Sequence, residues 1–95
     1  MKITKELLLS IILNYFNVKK QMSFYELEKK TGKDIKSLQA WSTQKNRRVQ
    51  TRNFNAVVNA LQSEISLHFD DFSEYTLSVL ENGGFIRECI QEIFD

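Results

Sequence analysis

Proline is absent from this 95-residue chain, and its three glycines fall at only two places, Gly32 and the pair Gly83 and Gly84. Proline and glycine interrupt regular structure, so their scarcity favours long helices joined by short turns. No stretch alternates β-branched and polar residues between hairpin turns, which is the pattern of a half-buried strand. The sequence therefore predicts an all-α fold, a compact helical bundle.

Cysteine and histidine each occur once, as Cys89 and His68. A single cysteine excludes an intrachain disulfide and fits a reducing compartment. A metal site would need more such ligands, and no catalytic motif or glycine-rich phosphate loop is present. The longest apolar run, within residues 7–13, is too short to span a membrane. We therefore expect a cytoplasmic protein that is not an enzyme, has no membrane partner and needs no cofactor or metal.

Positive charge is nearly missing from the C-terminal third. Residues 63–95 carry one cation, Arg87, against eight acids, which is a net charge of 1 − 8 = −7. Residues 1–62 carry twelve cations against four acids, which is 12 − 4 = +8. A basic block favours a polyanionic partner, whereas an acidic block repels one. The alternative is that the two blocks attract each other within the fold.

The chain is predicted to have two parts, residues 1–70 and a C-terminal extension, residues 71–95. The first part is predicted to hold four helices, the first of which fades near Asn17. The first helix is predicted to start at a cap at Thr4 and the second at a capping box that begins at Ser23. The third is predicted to start at about residue 35, and the fourth at a cap at Thr51 or Asn53. Beyond Leu61 the apolar spacing loosens, and either a short helix or an extended link follows.

The C-terminal extension is predicted to begin with a helix that starts at Ser73 and ends before Gly83. A last helix then carries an apolar face. This face is predicted to be a dimerisation surface, or alternatively to complete the core of a monomer. Its members are Phe85, Ile86, Cys89, Ile90, Ile93 and Phe94.

Two short helices around Gly32 are the feature on which a functional prediction depends. Gly32 lies where one helix should stop, because glycine adopts the left-handed conformation without a Cβ penalty. Asp34 is a good N-cap for the next helix. Leu27, Leu38 and Trp41 supply inward apolar residues on both sides of the turn. A basic polar run follows at residues 44–48, so the whole indicates a helix-turn-helix that binds DNA.

This spacing resembles the helix-turn-helix domain of the Cro and lambda-repressor (XRE-type) family over about residues 4–70. The residues that carry the resemblance are Leu27, Gly32, Leu38 and Trp41, followed by Phe54, Val57 and Leu61. The chain departs from the family at three positions. Phe24 stands where the family often has glutamine, Glu28 where it has a small alanine, and Lys33 where it has an apolar residue.

The resemblance implies a sequence-specific transcriptional regulator, a small dimeric repressor of phage or mobile-element type, whose third helix enters the major groove of double-stranded DNA. The implied base contacts are Lys36, Ser37, Gln39 and Ala40. The implied phosphate contacts are Lys45, Arg47, Arg48, Thr51 and Arg52. The plain alternative for both sets is a solvated surface. The alternative function is a protein-interaction or inhibitor module on the same scaffold, acting through its acidic C-terminal half.

Overall fold

The computed structural model describes residues 4–43 and 48–82 of the chain. Its elements are α1 (Lys5–Asn14), a π-helical turn (Tyr15–Lys19), α2 (Phe24–Thr31), α3 (Ile35–Thr43), α4 (Thr51–Leu67) and α5 (Phe69–Asn82). These two segments contain no strand, so the predicted all-α bundle is confirmed for them. None of the helices described is both long and apolar enough to cross a bilayer.

The centre of the bundle is α1, and residues 9–16, which include its last two turns, are buried on all sides. The apolar stripe of each surrounding helix packs on it. Leu27 of α2, Leu38 of α3 and Leu61 of α4 are all 0% exposed and lie in one cluster with Leu13 of α1. Burying one such side chain stabilises the fold by about 1.5–3 kcal/mol. This shared core fixes the position of α3.

The π-helical turn extends the first helix past Asn17, where the sequence predicted that it would fade. The backbone N–H of Lys20 donates to the Tyr15 carbonyl at 3.1 Å, and that of Met22 donates to the Phe16 carbonyl at 2.9 Å. A π turn rotates less per residue than an α turn, since its hydrogen bonds span one residue more. Tyr15 and Phe16 are adjacent in sequence and both buried in this wider turn.

The predicted caps of the first two helices are confirmed, and the predicted cap of α4 is wrong. The side-chain oxygens of Thr4 and Ser23 each accept a hydrogen bond of 3.1 Å from the backbone N–H three residues later. The N-cap of α4 is Gln50, whose side chain makes no capping bond, whereas Thr51 and Asn53 lie inside the helix. The first N–H groups of α4 are therefore left without a side-chain cap.

The stretch after Leu61 is helical, which resolves the alternative that the sequence left open. Only His68 separates the end of α4 at Leu67 from the start of α5 at Phe69. The predicted helix start at Ser73 is therefore wrong by one turn. The predicted division after residue 70 falls in the first turn of α5, and the two-part organisation stays a prediction.

Tyr15 joins the central helix to α5. Its ring is 0% exposed and stands edge-on to Phe72, with 5.2 Å between the ring centroids. Its hydroxyl donates to Oδ2 of Asp71 at 2.7 Å, and Nζ of Lys20 lies 3.6 Å from the same oxygen. Burial, and then the hydrogen bond to Asp71, raises the pKa of Tyr15 to about 12. The same bond is the main cause that lowers the pKa of Asp71.

Candidate nucleic-acid interface

The turn between α2 and α3 has the conformation that the sequence predicted. Gly32 has a φ of +73°, in the left-handed region, and its backbone N–H donates to the Glu28 carbonyl at 2.8 Å. A side chain with a Cβ is strained at this φ. Gly32 thus ends α2, and only Lys33 and Asp34 separate it from the start of α3 at Ile35.

Two carboxylates cap the start of α3. Asp34, the predicted N-cap, accepts the Ser37 N–H at 3.3 Å and the Ser37 hydroxyl at 2.7 Å. Oε2 of Glu28 reaches across the turn from α2 and accepts the N–H of Ile35 at 3.1 Å. Negative charge at a helix N-terminus is favourable because it meets the unpaired N–H groups and the helix dipole. The departure from the family pattern at Glu28 therefore supports α3 here.

The other end of α3 is tied to α1 by buried polar groups. The carbonyl of Ser42 accepts two hydrogen bonds from α1, at 2.8 Å from the Ser10 hydroxyl and at 2.7 Å from Nδ2 of Asn14. Nδ2 of Asn14 also donates to the Ser10 carbonyl at 2.8 Å. A helix leaves its last carbonyls unpaired, so these bonds satisfy a group whose burial would otherwise be costly. Both ends of α3 are thus fixed.

The outer face of α3 consists of Lys36, Gln39 and Thr43, which are all exposed. Their spacing of three and four residues places them on one side of the helix. The opposite side carries the buried residues Leu38 and Trp41. Two of the predicted base contacts, Lys36 and Gln39, therefore lie together on a free surface. Thr43 was not predicted, although the same spacing, continued one turn further, indicates it.

The other two predicted base contacts are placed differently. Ala40 is half-buried at the edge of the outer face of α3. Ser37 is half-buried as well and lies about 100° around the helix from Lys36. Its hydroxyl proton is used in the bond to Asp34, so only its lone pairs remain for a further partner.

Cations from two other parts of the chain reach the start of α4. Nζ of Lys5, in the first turn of α1, donates to Oγ1 of Thr51 at 3.3 Å. Nζ of Lys33, in the turn before α3, donates to Oδ1 of Asn53 at 3.0 Å. The predicted phosphate contacts Arg48, Thr51 and Arg52 are all exposed at this edge. We call Lys5, Lys33, Arg48 and Arg52, with the first turn of α4, the basic edge.

Two contributors to the basic edge were missed by the sequence interpretation. Lys5 is far from α4 along the chain, and no local pattern indicates that it approaches Thr51. Lys33 was noted only because it replaces an apolar residue of the turn. The remaining departure, Phe24, is half-buried and packs on the core cluster. Phe24 therefore contributes apolar packing at the start of α2.

None of the ion pairs in the described segments involves a residue of α3. Lys20 pairs with Asp71 at 3.6 Å, and Lys30 pairs with Glu64 at 2.8 Å. The basic and acidic blocks therefore attract each other in part, which is the alternative interpretation of the charge pattern. Among residues 4–43 and 48–82, no acidic side chain pairs with Lys36 or with either arginine of the basic edge. Positive charge on this side remains available to a ligand.

Other predicted site residues lie outside the described segments. These are the phosphate contacts Lys45 and Arg47 and the dimerisation residues Phe85, Ile86, Cys89, Ile90, Ile93 and Phe94. In the parts of the chain that are described, no three His, Cys, Asp or Glu side chains are grouped so that they could hold a metal ion.

Comparison with protein-family models, with curated proteins and with solved structures gives no match to this chain. Its function must therefore be inferred from the residues of the interface.

Proposed function

We propose that this protein is a sequence-specific, double-stranded-DNA-binding transcriptional regulator of the helix-turn-helix type. The observation that carries the proposal is the exposed outer face of α3, Lys36, Gln39 and Thr43. The helix is held at both ends by hydrogen bonds, and it begins two residues after Lys33 of the basic edge. A DNA-reading helix needs exposed hydrogen-bonding side chains and flanking cations that bind phosphate. The resemblance to the XRE-type family adds support.

The outer face of α3 has the chemistry of major-groove readout. Lys36 can donate to the guanine acceptors O6 and N7. Gln39 can pair with adenine through both amide atoms, and Ala40 at the edge can contact a thymine methyl group. Ser37 can offer only its hydroxyl lone pairs while it donates to Asp34. Each good bidentate contact contributes about 1–3 kcal/mol of discrimination between bases.

The basic edge supplies the phosphate contacts in this proposal. Arg48 and Arg52 carry the flexible charges, and the uncapped N–H groups near Thr51 form a helix N-terminal site for a phosphate. Lys5 and Lys33 add charge from α1 and from the turn. Such contacts fix the register on the duplex and make affinity depend on salt, without reading sequence.

We further propose a cytoplasmic homodimer of the phage or mobile-element repressor type. Small helix-turn-helix proteins commonly bind as two-fold dimers on half-sites about one DNA turn apart. The dimerisation surface proposed from the sequence, residues 85–94, is outside the described segments. Analytical ultracentrifugation of the full chain, with and without DNA, tests the stoichiometry. A single protomer bound to one half-site would contradict the dimer.

The main experiment selects binding sites from random duplex DNA and compares the selected duplex with an unselected one at two salt concentrations. We expect a preference of about a thousandfold or more, and an affinity that falls steeply with salt. Replacing Gln39 by alanine should relax the preference at one or two base pairs. Replacing Arg48 and Arg52 by alanine should weaken binding to both duplexes and reduce the salt slope by about 0.9 for each phosphate that is no longer neutralised.

Lys19→Ala is the matched control. It removes one exposed cation that lies beside α5, away from α3, and it should leave DNA binding nearly unchanged. Equal and weak binding to both duplexes would overturn the proposal. Normal binding by the double arginine variant would show that the phosphate contacts lie elsewhere on the chain.

A further inference from the structure

We propose that the outward side of α5 is a docking surface for a basic amphipathic helix of another protein. The surface, called here the α5 outer face, consists of Phe69, Asp70, Glu74 and Leu77. It is separate from the proposed DNA interface and does not depend on DNA binding.

The first observation is a concentration of exposed apolar side chains. Phe69 and Leu77 are 61% and 58% exposed, and the neighbouring Leu67 is 76% exposed. Only five large apolar side chains of the described segments are exposed to this degree, and three of them lie within residues 67–77. Single exposed apolar residues are normal at a protein surface, whereas a local group rimmed by polar residues is typical of an interaction site.

Helix geometry separates this surface from the side of α5 that packs on the core. Phe72, Tyr75 and Val79 pack on residues of α1 and the π turn. Asp70, Glu74 and Leu77 follow each other at spacings of four and three residues, which places them together on the opposite side. Phe69 lies at the edge of this outward side, next to Leu67 at the end of α4.

The second observation is the sign of the charge. All charged residues of α5 are acids, and Asp70 and Glu74 have no ion-pair partner in the described segments. On the flank of the α5 outer face, Glu74 and Asp71 line a cleft of about 210 Å³ together with Lys19, Tyr75 and Ser78, so the cleft itself carries both signs of charge. Exposed apolar side chains beside the unpaired acids Asp70 and Glu74 match a helix that presents leucines on one side and lysines or arginines next to them.

Charge complementarity also decides against the other occupants. DNA is a polyanion and is repelled. A second copy that docked by two-fold symmetry through this face would set Asp70 and Glu74 of one protomer against the same acids of the other. Residues 85–95 of the chain carry Arg87 against Glu88, Glu92 and Asp95, a net charge of 1 − 3 = −2, so they do not supply the positive charge that would complement Asp70 and Glu74. A basic helix from another protein remains.

The test titrates the full chain with a synthetic helical peptide that places leucine at helical positions i, i+3, i+4 and i+7 and lysine on both flanks. The first control peptide has the same composition in scrambled order, and the second has glutamate in place of lysine. We expect saturable binding of the first peptide only. Phe69→Ser with Leu77→Ser should weaken it by at least about tenfold. Asp70→Asn with Glu74→Gln should weaken it severalfold and reduce its salt dependence.

Val18→Ser is the matched control, because Val18 is 57% exposed but lies on the π-helical turn outside the α5 outer face. Equal binding of the scrambled peptide, no saturable binding up to about 1 mM, or unchanged binding by both double variants would overturn the proposal. If the chain self-associates and the Phe69 and Leu77 double variant does not, the α5 outer face binds a second copy of the chain instead.

The same variants are also measured for DNA binding, which we expect to be unchanged. If the unaltered protein binds the peptide but does not bind DNA, only the proposed regulator function is refuted. Retained DNA binding without peptide binding would refute only the docking surface.

Discussion

Asn14→Ala is expected to be among the most damaging single changes of a polar residue in this bundle. Asn14 is 6% exposed, and its Nδ2 donates both to the Ser42 carbonyl at 2.7 Å and to the Ser10 carbonyl at 2.8 Å. Alanine removes both bonds at a place that water does not reach. Each buried hydrogen bond contributes about 0.5–1.5 kcal/mol, so their joint loss should lower the free energy of unfolding by about 2 kcal/mol.

The measurement is urea unfolding followed by far-UV circular dichroism, with thermal unfolding as a second readout. A loss of about 2 kcal/mol corresponds to a fall in Tm of about 8–16 °C for a domain of this size. Asn59→Ala is the matched control, since Asn59 is exposed on α4 and makes no side-chain hydrogen bond in the described segments. It should be neutral or slightly stabilising, because alanine has the higher helix propensity.

A loss below about 0.5 kcal/mol for Asn14→Ala would refute the reasoning. It would show that the hydrogen bond from Asn14 to the Ser42 carbonyl does not hold the end of α3. If α3 is the DNA-reading helix, the same variant should also lose DNA affinity at temperatures where it remains folded.

Three further changes test the turn, the cap and the link to α5. Gly32→Ala should lower the free energy of unfolding, measured in urea, by about 1–2 kcal/mol, because a residue with a Cβ is strained at a φ of +73°. The new Cβ would meet no neighbour within 4 Å, so backbone strain is the only cause expected. Glu28→Ala should cost about 1 kcal/mol in the same assay, since it removes the acceptor of the Ile35 N–H. Tyr15→Phe should flatten the alkaline part of a stability–pH curve. The pKa of Tyr15 is raised from 10.0 to about 12, so its contribution is complete below pH 10 and is lost as pH rises towards 12.

Each of these has its own contrary outcome. No loss of stability in Gly32→Ala would mean that the turn relaxes without cost. Equal stability of Glu28→Ala and the unaltered chain would mean that water replaces the carboxylate as acceptor. If the fall of stability at alkaline pH is unchanged in Tyr15→Phe, another group causes it, such as Tyr75, whose pKa is also raised by burial.

Local signals in the sequence predicted local structure well. The left-handed Gly32, the caps at Thr4, Ser23 and Asp34, and the bounds of α3 follow from residue types and spacing, because each depends on neighbours a few positions away. The helical course after Leu61, by contrast, was left open between a short helix and an extended link. Its apolar residues are separated irregularly by Ser66, His68 and the acids Asp70 and Asp71, and their role is clear only when Phe72 of α5 packs on the core cluster.

The candidate site shows the same division. The outer face of α3 could be predicted from helical period, since Lys36 and Gln39 are placed by their own helix. The approach of Lys5 to Thr51 spans 46 positions and depends on how whole helices pack, which no local pattern encodes. Glu28 stands where the family has a small alanine, and its longer side chain reaches the N–H of Ile35 and accepts its hydrogen bond.

Two adjacent residues of the chain hold the two proposed binding helices. Asn14 holds the end of α3, and Tyr15 holds Asp71 at the start of α5. A partner that bound at α5 and displaced residues 14 and 15 would disturb both hydrogen bonds, the one from Asn14 to Ser42 and the one from Tyr15 to Asp71. Linkage then requires reciprocity: the factor by which such a partner changed the affinity for DNA would equal the factor by which DNA changed the affinity for the partner.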